Sequence, residues 1–447
     1  MILCPPMEIS YNAAVDIIER KAVELSADLQ NSEECLPLTQ VIGRVATRDY
    51  RAQFATPTFD SSAMDGYAVS SMYTESATEA SPITMKVVGS VAAGDSQLYI
   101  SNEVDNCVPP CVEIMTGARF PTSTSGPPFD SCIPIEHTKV LLCRNRSEKL
   151  IQIRNKIRPN QHRRLAGEDF HINDKIISVG ETVTTHHVMA LTSVGVSKIA
   201  VRKKVQIGIF STGSEIHSQD QNVQSIADVN GPYLMTSLRS RGADVKFLGV
   251  LKDVFAEVEA NIRSALCSGN FDLLISTGAV SVGKFDFIPR VLIQLGADIM
   301  FHGVTIRPGH PVLFAILPGE HRSQTPIFGL PGNPLAAAAC LESLVMPYLI
   351  RFGIQRPTEP LRAMLKVRTK AASRVSPYDE FRHGLLEQHE DGWHCSLCDD
   401  QSPSKVKPFL HSNCFIHLQP GDRSETGTIV TCYPIGELRQ EWQLARR

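Results

Sequence analysis

The chain has 447 residues, 44 Lys and Arg against 47 Asp and Glu, a formal net charge of −3, and 43% hydrophobic residues. That apolar content excludes a disordered or collagen-like chain, and the near balance of charge argues against a bulk nucleic-acid binder, which normally shows a basic face. No uninterrupted run of 18 apolar residues occurs, so no membrane span is expected. Met1 to Asn12 show no basic-then-apolar leader, so no signal peptide is expected, and the 12 scattered Cys read as reduced cytoplasmic thiols. At ~100–200 residues per domain the length allows two to four domains.

In chain order, residues 8–27 read as an amphipathic helix. Ala14, Ile17, Ile18, Ala22 and Leu25 recur at helical spacing, and Ser10 can cap the start. Residues 49–156 are rich in Val, Thr, Ser, Pro and Gly, with β-type runs such as Ile83 to Val88 and Leu150 to Ile153, and read as an all-β module. Its Pro121 to Pro128 stretch reads as a mobile turn-rich loop. From Val205 the pattern becomes strand, turn, helix. Strand runs fall at Val205 to Phe210, Val245 to Val250, Phe271 to Ile275 and Ile327 to Leu330. Helices open at Asn230-Gly231-Pro232, at Asp286 (ending at Gly296) and at Asn333-Pro334, the last with Asn as cap and Pro at the first helical position. This alternation predicts a parallel sheet with helices on both faces. After about Arg356 short β-type runs return (Met364 to Val367, Ile429 to Tyr433), predicting a small C-terminal β domain.

Ligands of open α/β sheets bind beyond the carboxyl ends of the strands. Three loops leave those ends: Ser211-Thr212-Gly213-Ser214-Glu215, Ser276-Thr277-Gly278-Ala279-Val280-Ser281-Val282-Gly283, and Gly329-Leu330-Pro331-Gly332-Asn333-Pro334. Small residues let a phosphate approach backbone N–H groups, so Ser211, Thr212, Gly213, Ser276, Gly278, Ser281, Gly283, Gly332 and Asn333 are candidate contacts to a phosphorylated or nucleotide-like ligand. Glu215, Asp253 and Asp286 stand beside these loops, and Mg²⁺ uses one or two carboxylates plus phosphate oxygens. Asp286 reads equally well as a helix cap. Arg307 and His310, fixed among prolines, suit an oxyanion, or else a surface turn. Cys395 and Cys398 form a single CxxC beside His394 with no second pair, a weak zinc signal. Phe381-Arg382-His383-Gly384 reads in isolation as a solvated turn.

These motifs coincide with those of one family. The chain resembles the molybdopterin molybdenumtransferases, which include bacterial MoeA, the plant molybdenum insertase E domain and the gephyrin E domain, from about Met7 to Val430. The matching runs are Pro57 to Val69 (PTFDSSAMDGYAV), Met115-Thr116-Gly117-Ala118, Gly167-Glu168-Asp169, Ser211 to Glu215, the Ser281-Val282-Gly283 loop and Gly329 to Pro334. The resemblance implies a multi-domain α/β and β protein. Its parts are a helical linker domain (7–48 plus 157–199), an inserted β module (49–156), a molybdopterin-binding-type α/β domain (200–352) and a C-terminal β domain (353–447). It also implies a cytoplasmic homodimer whose cleft is shared between subunits. Asp65 and Asp169 would then meet Asp253 and Asp286 as catalytic carboxylates, with Glu215, Asp253 and Asp286 holding Mg²⁺ or another divalent cation. The implied reaction takes adenylylated molybdopterin and molybdate to molybdenum cofactor and AMP. A separate molybdopterin adenylyltransferase is implied as partner, and no nucleic acid or membrane.

The departures from the family pattern cluster. Ala279 replaces a Gly, Lys284 follows Gly283 in place of an acidic or polar residue, and Ser214 replaces an Asp. Arg307-Pro308-Gly309-His310-Pro311 replaces Lys-Pro-Gly-Lys-Pro, Leu335 and Ala336 stand where a hydroxyl is frequent, and His383 replaces an Arg. Arg307, His310 and His383 thus occupy positions associated with molybdate, and an imidazole is only partly charged near pH 7. Two alternatives follow: a divergent paralogue acting on another small anionic or heterocyclic substrate, and a non-catalytic gephyrin-like scaffold.

Overall fold

In a computed structural model, residues 8–105, 108–141, 148–217, 226–280, 287–319, 324–366, 375–422 and 425–436 are described. The chain divides into two compact units. The first comprises residues 1–35, 43–47 and 200–447, the second residues 36–42 and 48–199.

In the first unit the chain opens with helix α1 (Tyr11–Leu25), whose Ser10 hydroxyl accepts from Ala13 N–H. Tyr11, Ala14, Ile18 and Ala22 form its buried stripe, at the spacing read from the sequence, while Ile17 and Leu25 are only partly buried. A six-stranded sheet follows. Its elements are β1 (Gln206–Thr212), α2 (Asn230–Ser240), β2 (Asp244–Leu251), α3 (Phe255–Cys267), β3 (Leu273–Thr277), α4 (Ile288–Gln294), β4 (Asp298–His302), β5 (Leu313–Pro318) and β6 (Gln324–Leu330). The strand order is β2-β1-β3-β6-β5-β4. The first four strands are parallel, as the alternation predicts, but β5 runs antiparallel to β6, and β4 antiparallel to β5. The sheet is therefore mixed. The buried run of β5 has the apolar composition of a parallel core strand, so composition does not reveal its direction. The start of α4 falls beside residues 281–286, which lie outside the described residues together with the Ser281, Gly283, Lys284 and Asp286 expectations.

The long helix beginning at Pro334 is α5 (Pro334–Cys340), a π turn (Leu341–Val345) and α6 (Met346–Phe352). It is long and apolar enough to cross a bilayer by length and composition, yet 83% of its most apolar window is buried in the core. Asn333 occupies the N-cap position, but its side chain makes no capping bond, unlike the sequence expectation. Pro347 has no N–H to give the Ser343 carbonyl four residues earlier, and the Tyr11 hydroxyl donates to that carbonyl at 3.2 Å. The freed acceptor thus ties α1 to the middle of this helix.

Strands β7 (Leu361–Leu365), β8 (Asp379–His389), β9 (Gly392–Leu397), β10 (Cys414–Leu418) and β11 (Ile429–Pro434) pair in the order β8-β9-β7-β11-β10, and β10 returns to β8, closing a small barrel. Phe381 to Gly384 lie within β8 rather than in a solvated turn, because Phe381 and His383 alternate inward. The two-residue strand Ile306–Arg307 pairs with the start of β8, which fixes the Arg307 loop beside the barrel.

The second unit centres on a six-stranded mixed sheet in the order Thr138–Leu141, Leu150–Ile153, Ile83–Val91, Pro110–Ile114, Gly66–Val69, Ser131–Pro134. Tyr67, Met85, Ile133 and Ile151 are among its core. The Pro121–Pro128 stretch is tied down rather than mobile. Thr122–Ser123 pairs with Tyr99–Ile100, and Asn102 Nδ2 donates to Pro127 O at 2.7 Å.

Candidate functional site

Because β1, β3 and β6 are parallel, the three loops expected to carry the ligand leave the same edge of the sheet, and they are bonded to one another. Thr212 Oγ1 donates to Thr277 O at 2.9 Å, and Gly278 N–H donates to Leu330 O at 3.0 Å. Gly278 has φ +85°, and a Cβ there would lie 2.5 Å from Thr212 O, so glycine is required. Ser211 donates to Asp228 Oδ2 at 2.8 Å, and Asp228 Oδ1 accepts Gly231 N–H at the start of α2. Asn230 Nδ2 donates to Gly332 O at 2.8 Å, which joins that helix start to the third loop. Ser211, Thr212 and Ser276 are buried beneath the loops, and the Ser276 hydroxyl has no hydrogen-bond partner among the described residues. Sequence reasoning missed Asp228 and used Asn230 only as a helix opener. Asp228 stands three residues before Gly231, a capping spacing that could have marked it, whereas its bond to Ser211 and the Asn230–Gly332 bond join distant residues that no spacing marks.

Glu215 is exposed at the end of the first loop, and Asp253 is half-buried after β2. Asp253 accepts Ser214 N–H at 2.9 Å, and Asp253 N–H donates to Ser214 Oγ at 3.1 Å. Ser214, which departs from the family pattern, thus aligns the carboxylate it faces. Among the described residues no group of three or more His, Cys, Asp and Glu is placed to hold a metal, which also leaves the Cys395–Cys398 pair without a zinc site.

A cleft of about 660 Å³ opens beside the third loop in this same unit. Arg307 and His310 line it from one side, Asn333 and Ala336 from the helix start, and Glu380, Arg382, His383, Asp399 and Gln401 from the barrel. Arg307 is exposed and sits over the Tyr378 ring at 4.2 Å. His310 Nε2 lies 3.2 Å from Glu8, and Arg382 is ion-paired with Glu380 at 2.5 Å. Gly309 must be glycine, since its φ is +115° and a Cβ would lie 2.4 Å from Cys340 Sγ. His383 is 2% exposed; its Nδ1 shares a 2.7 Å hydrogen bond with Ser412 Oγ, and its Nε2 is buried without a hydrogen-bond partner of good geometry among the described residues. Gln401 holds the His383 backbone at both ends, accepting its N–H and donating to its carbonyl. Burial pushes the His383 pKa down, against a backbone hydrogen bond to Asp400 and the charge of the Asp400 carboxylate. The structure therefore brings Arg307, His310, Asn333 and His383 to one cleft.

Asp65 and Asp169 belong to the second unit, and both are exposed. Asp65 Oδ1 accepts Thr116 N–H at 2.6 Å and Thr116 Oγ1–H at 2.9 Å, and these bonds hold its carboxyl below the usual range. Two of the runs quoted above, around Asp65 and Met115 to Ala118, are thus one local structure. Asp169 N–H donates to Thr56 O at 3.0 Å.

Residues 9–195 match the MoeA N-terminal region (domain I and II), and residues 208–351 match a probable molybdopterin binding domain. The molybdopterin molybdenumtransferase of Synechococcus elongatus is 30% identical over 347 residues, covering 77% of this chain and 80% of the relative. That of Bacillus subtilis is 27% identical over 417 residues, covering 92% of each. The crystal structure of a molybdopterin biosynthesis MoeA protein from Pyrococcus horikosii superimposes with a TM-score of 0.72 at 25% identity, covering 96% of this chain and 100% of that one. With sequence, fold and loop arrangement in agreement, the chain belongs to the molybdopterin molybdenumtransferase family.

Proposed function

We propose that this protein is a transferase of molybdenum cofactor biosynthesis that inserts molybdate into adenylylated molybdopterin and releases AMP. The observation that carries the reading is the bonding of three Gly-containing loops at one edge of the parallel strands, next to a cleft lined by Arg307, His310, Asn333 and His383. Backbone N–H groups and the N-terminal end of α2 suit the phosphates of the substrate. Arg307 supplies a permanent cation to an oxyanion, and Asn333 and Gln401 supply neutral donors. Ser214 keeps Asp253 oriented toward the loop end.

The strand register supports a divalent cation held by two described carboxylates and the substrate, rather than by a protein cluster alone. Thr212 and Leu251, at the ends of β1 and β2, are register partners, so Glu215 and Asp253 follow adjacent parallel strands. Two carboxylates completed by phosphate oxygens form a set that Mg²⁺ accepts. Glu215, Asp253 and Asp286 would hold it, and when bound it would neutralise charge on the pyrophosphate being cleaved. We further propose a cytoplasmic homodimer, with Asp65 and Asp169 supplied to the cleft by the second subunit, and a separate adenylyltransferase that provides the substrate. The four segments named from the sequence, 7–48 with 157–199, 49–156, 200–352 and 353–447, are proposed as its domains.

A second reading, a different small anionic or heterocyclic substrate on the same scaffold, is favoured by the charge offsets in the cleft, where His310 faces Glu8 and Arg382 faces Glu380. Complementation separates the two. Expression in cells lacking their molybdenum insertion enzyme should restore molybdoenzyme activity, and Asp253→Ala should abolish the rescue. Failure of the well-expressed wild-type chain to rescue favours the second reading.

A further inference from the structure

The fixed charges around the cleft do not add up to a site for a dianion. Arg307 and Arg382 are the permanent cations of its lining, and Glu380 and Asp399 the permanent anions. Arg382 is committed to Glu380, while Arg307 has no carboxylate partner among the described residues. Glu8 stands against His310, and Asp400, paired with Lys405 at 2.8 Å, stands near His383. A tetrahedral dianion placed here meets no surplus of fixed positive charge. The remaining groups of the lining that can become positive near neutral pH are the two imidazoles.

Their surroundings leave room for that change. His310 is half exposed, and its carboxylate partner Glu8 is equally open to water. His383 is packed against the Phe409 ring edge, bonded through Nδ1 to Ser412, whose hydroxyl also lies 3.3 Å from Cys398 Sγ. Ser412 can accept from Nδ1–H as well as donate to it, because the Cys398 sulfur accepts in turn. The imidazolium form therefore keeps its Nδ1 bond. Its second N–H, on Nε2, makes no hydrogen bond of good geometry among the described residues and is left for an acceptor, with the Asp400 backbone also favouring the charged ring. The Asp400 backbone and carboxylate favour the charged ring, burial is the larger effect and holds the pKa down, and an entering anion adds to the Asp400 side of that balance.

We propose that this cleft captures tetrahedral oxyanions with uptake of protons, His310 and His383 becoming charged as the dianion enters. The inference rests on the molybdate reading above and sharpens it: affinity depends on pH, which a pocket built from Lys and Arg would not show near neutrality.

Isothermal titration of the full chain with molybdate, at pH 6.5 and 8.5 in two buffers of different ionisation enthalpy, tests it. The expected result is a heat that depends on the buffer. Affinity should fall by about tenfold per pH unit for each proton taken up. His310→Lys should bind molybdate with a smaller pH slope, and His383→Gln, which keeps a hydrogen-bonding side chain but cannot be charged, should lower the proton count. His310 is at the surface, so its variant remains informative if the buried substitution lowers the melting temperature. Saturable binding with equal affinity at both pH values and buffer-independent heat overturns the inference and leaves the oxyanion site standing. No molybdate binding at either pH removes the oxyanion site and the inference together.

Discussion

Ala279 holds φ at +51°, in the left-handed region, at a position where the sequence departs from a family glycine. A Cβ costs roughly 1–2 kcal/mol in that conformation, and the extra chain entropy of glycine returns part of it. Ala279→Gly should therefore stabilise the protein by about 0.5–1 kcal/mol in urea unfolding, and no change or a loss would show that the loop relaxes around the methyl group. Asp253 leads to a sharper expectation. It is aligned by Ser214 from both backbone and hydroxyl, so Asp253→Asn should keep the fold and melting temperature while lowering kcat by at least about 10²-fold. At this scale the sequence offered the candidate chemical groups but not the residues that position them. Glu215, Asp253, Arg307 and His310 are recognisable as chemical types beside Gly-rich or Pro-rich loops, whereas His383 reads locally as a solvated turn and is singled out only by the family resemblance. Asp228, Gln401 and Ser412 act through partners 17 to 29 residues away, and no local pattern encodes such a pairing.

The helix from Pro334 to Phe352 shows how an element reconciles conflicting demands. Leu335 to Cys340 of its Ala-rich first half are buried, Pro347 interrupts the bonding, and a π turn carries Glu342 into the core. There Arg241 donates to both Glu342 carboxylate oxygens at 2.8 Å, and each side chain is at most 3% exposed. Leaving Arg241 buried without its counter-charge by Glu342→Ala should cost about 3–5 kcal/mol. Adding Arg241→Ala should recover part of that loss in a double-mutant cycle, and strict additivity would show that the two groups do not interact. The Ser10 cap and periodicity of α1, the opening of α2 and the runs of the parallel strands were legible because they are local. The antiparallel β5 and the long β8 were not, because a buried apolar strand reads the same in either direction and a barrel strand is defined by its neighbours.

For the whole molecule, the shared-cleft proposal has a quantitative consequence. If each active cleft combines carboxylates from two subunits, two inactive variants complement each other. Asp65→Asn and Asp253→Asn, each inactive alone, should recover about a quarter of wild-type activity after subunit exchange, since about half of the dimers are mixed and each of these has one intact cleft. No recovery, with exchange verified by light scattering on tagged subunits, would place the carboxylates of one cleft within one chain. The central claim is tested most directly by the reaction itself. Purified protein is incubated with adenylylated molybdopterin and Mg²⁺, with and without molybdate, and AMP and active cofactor are measured together. The account predicts that AMP and cofactor form in equal amounts and only when molybdate is present. AMP release without cofactor, or no reaction with molybdate present, would contradict it.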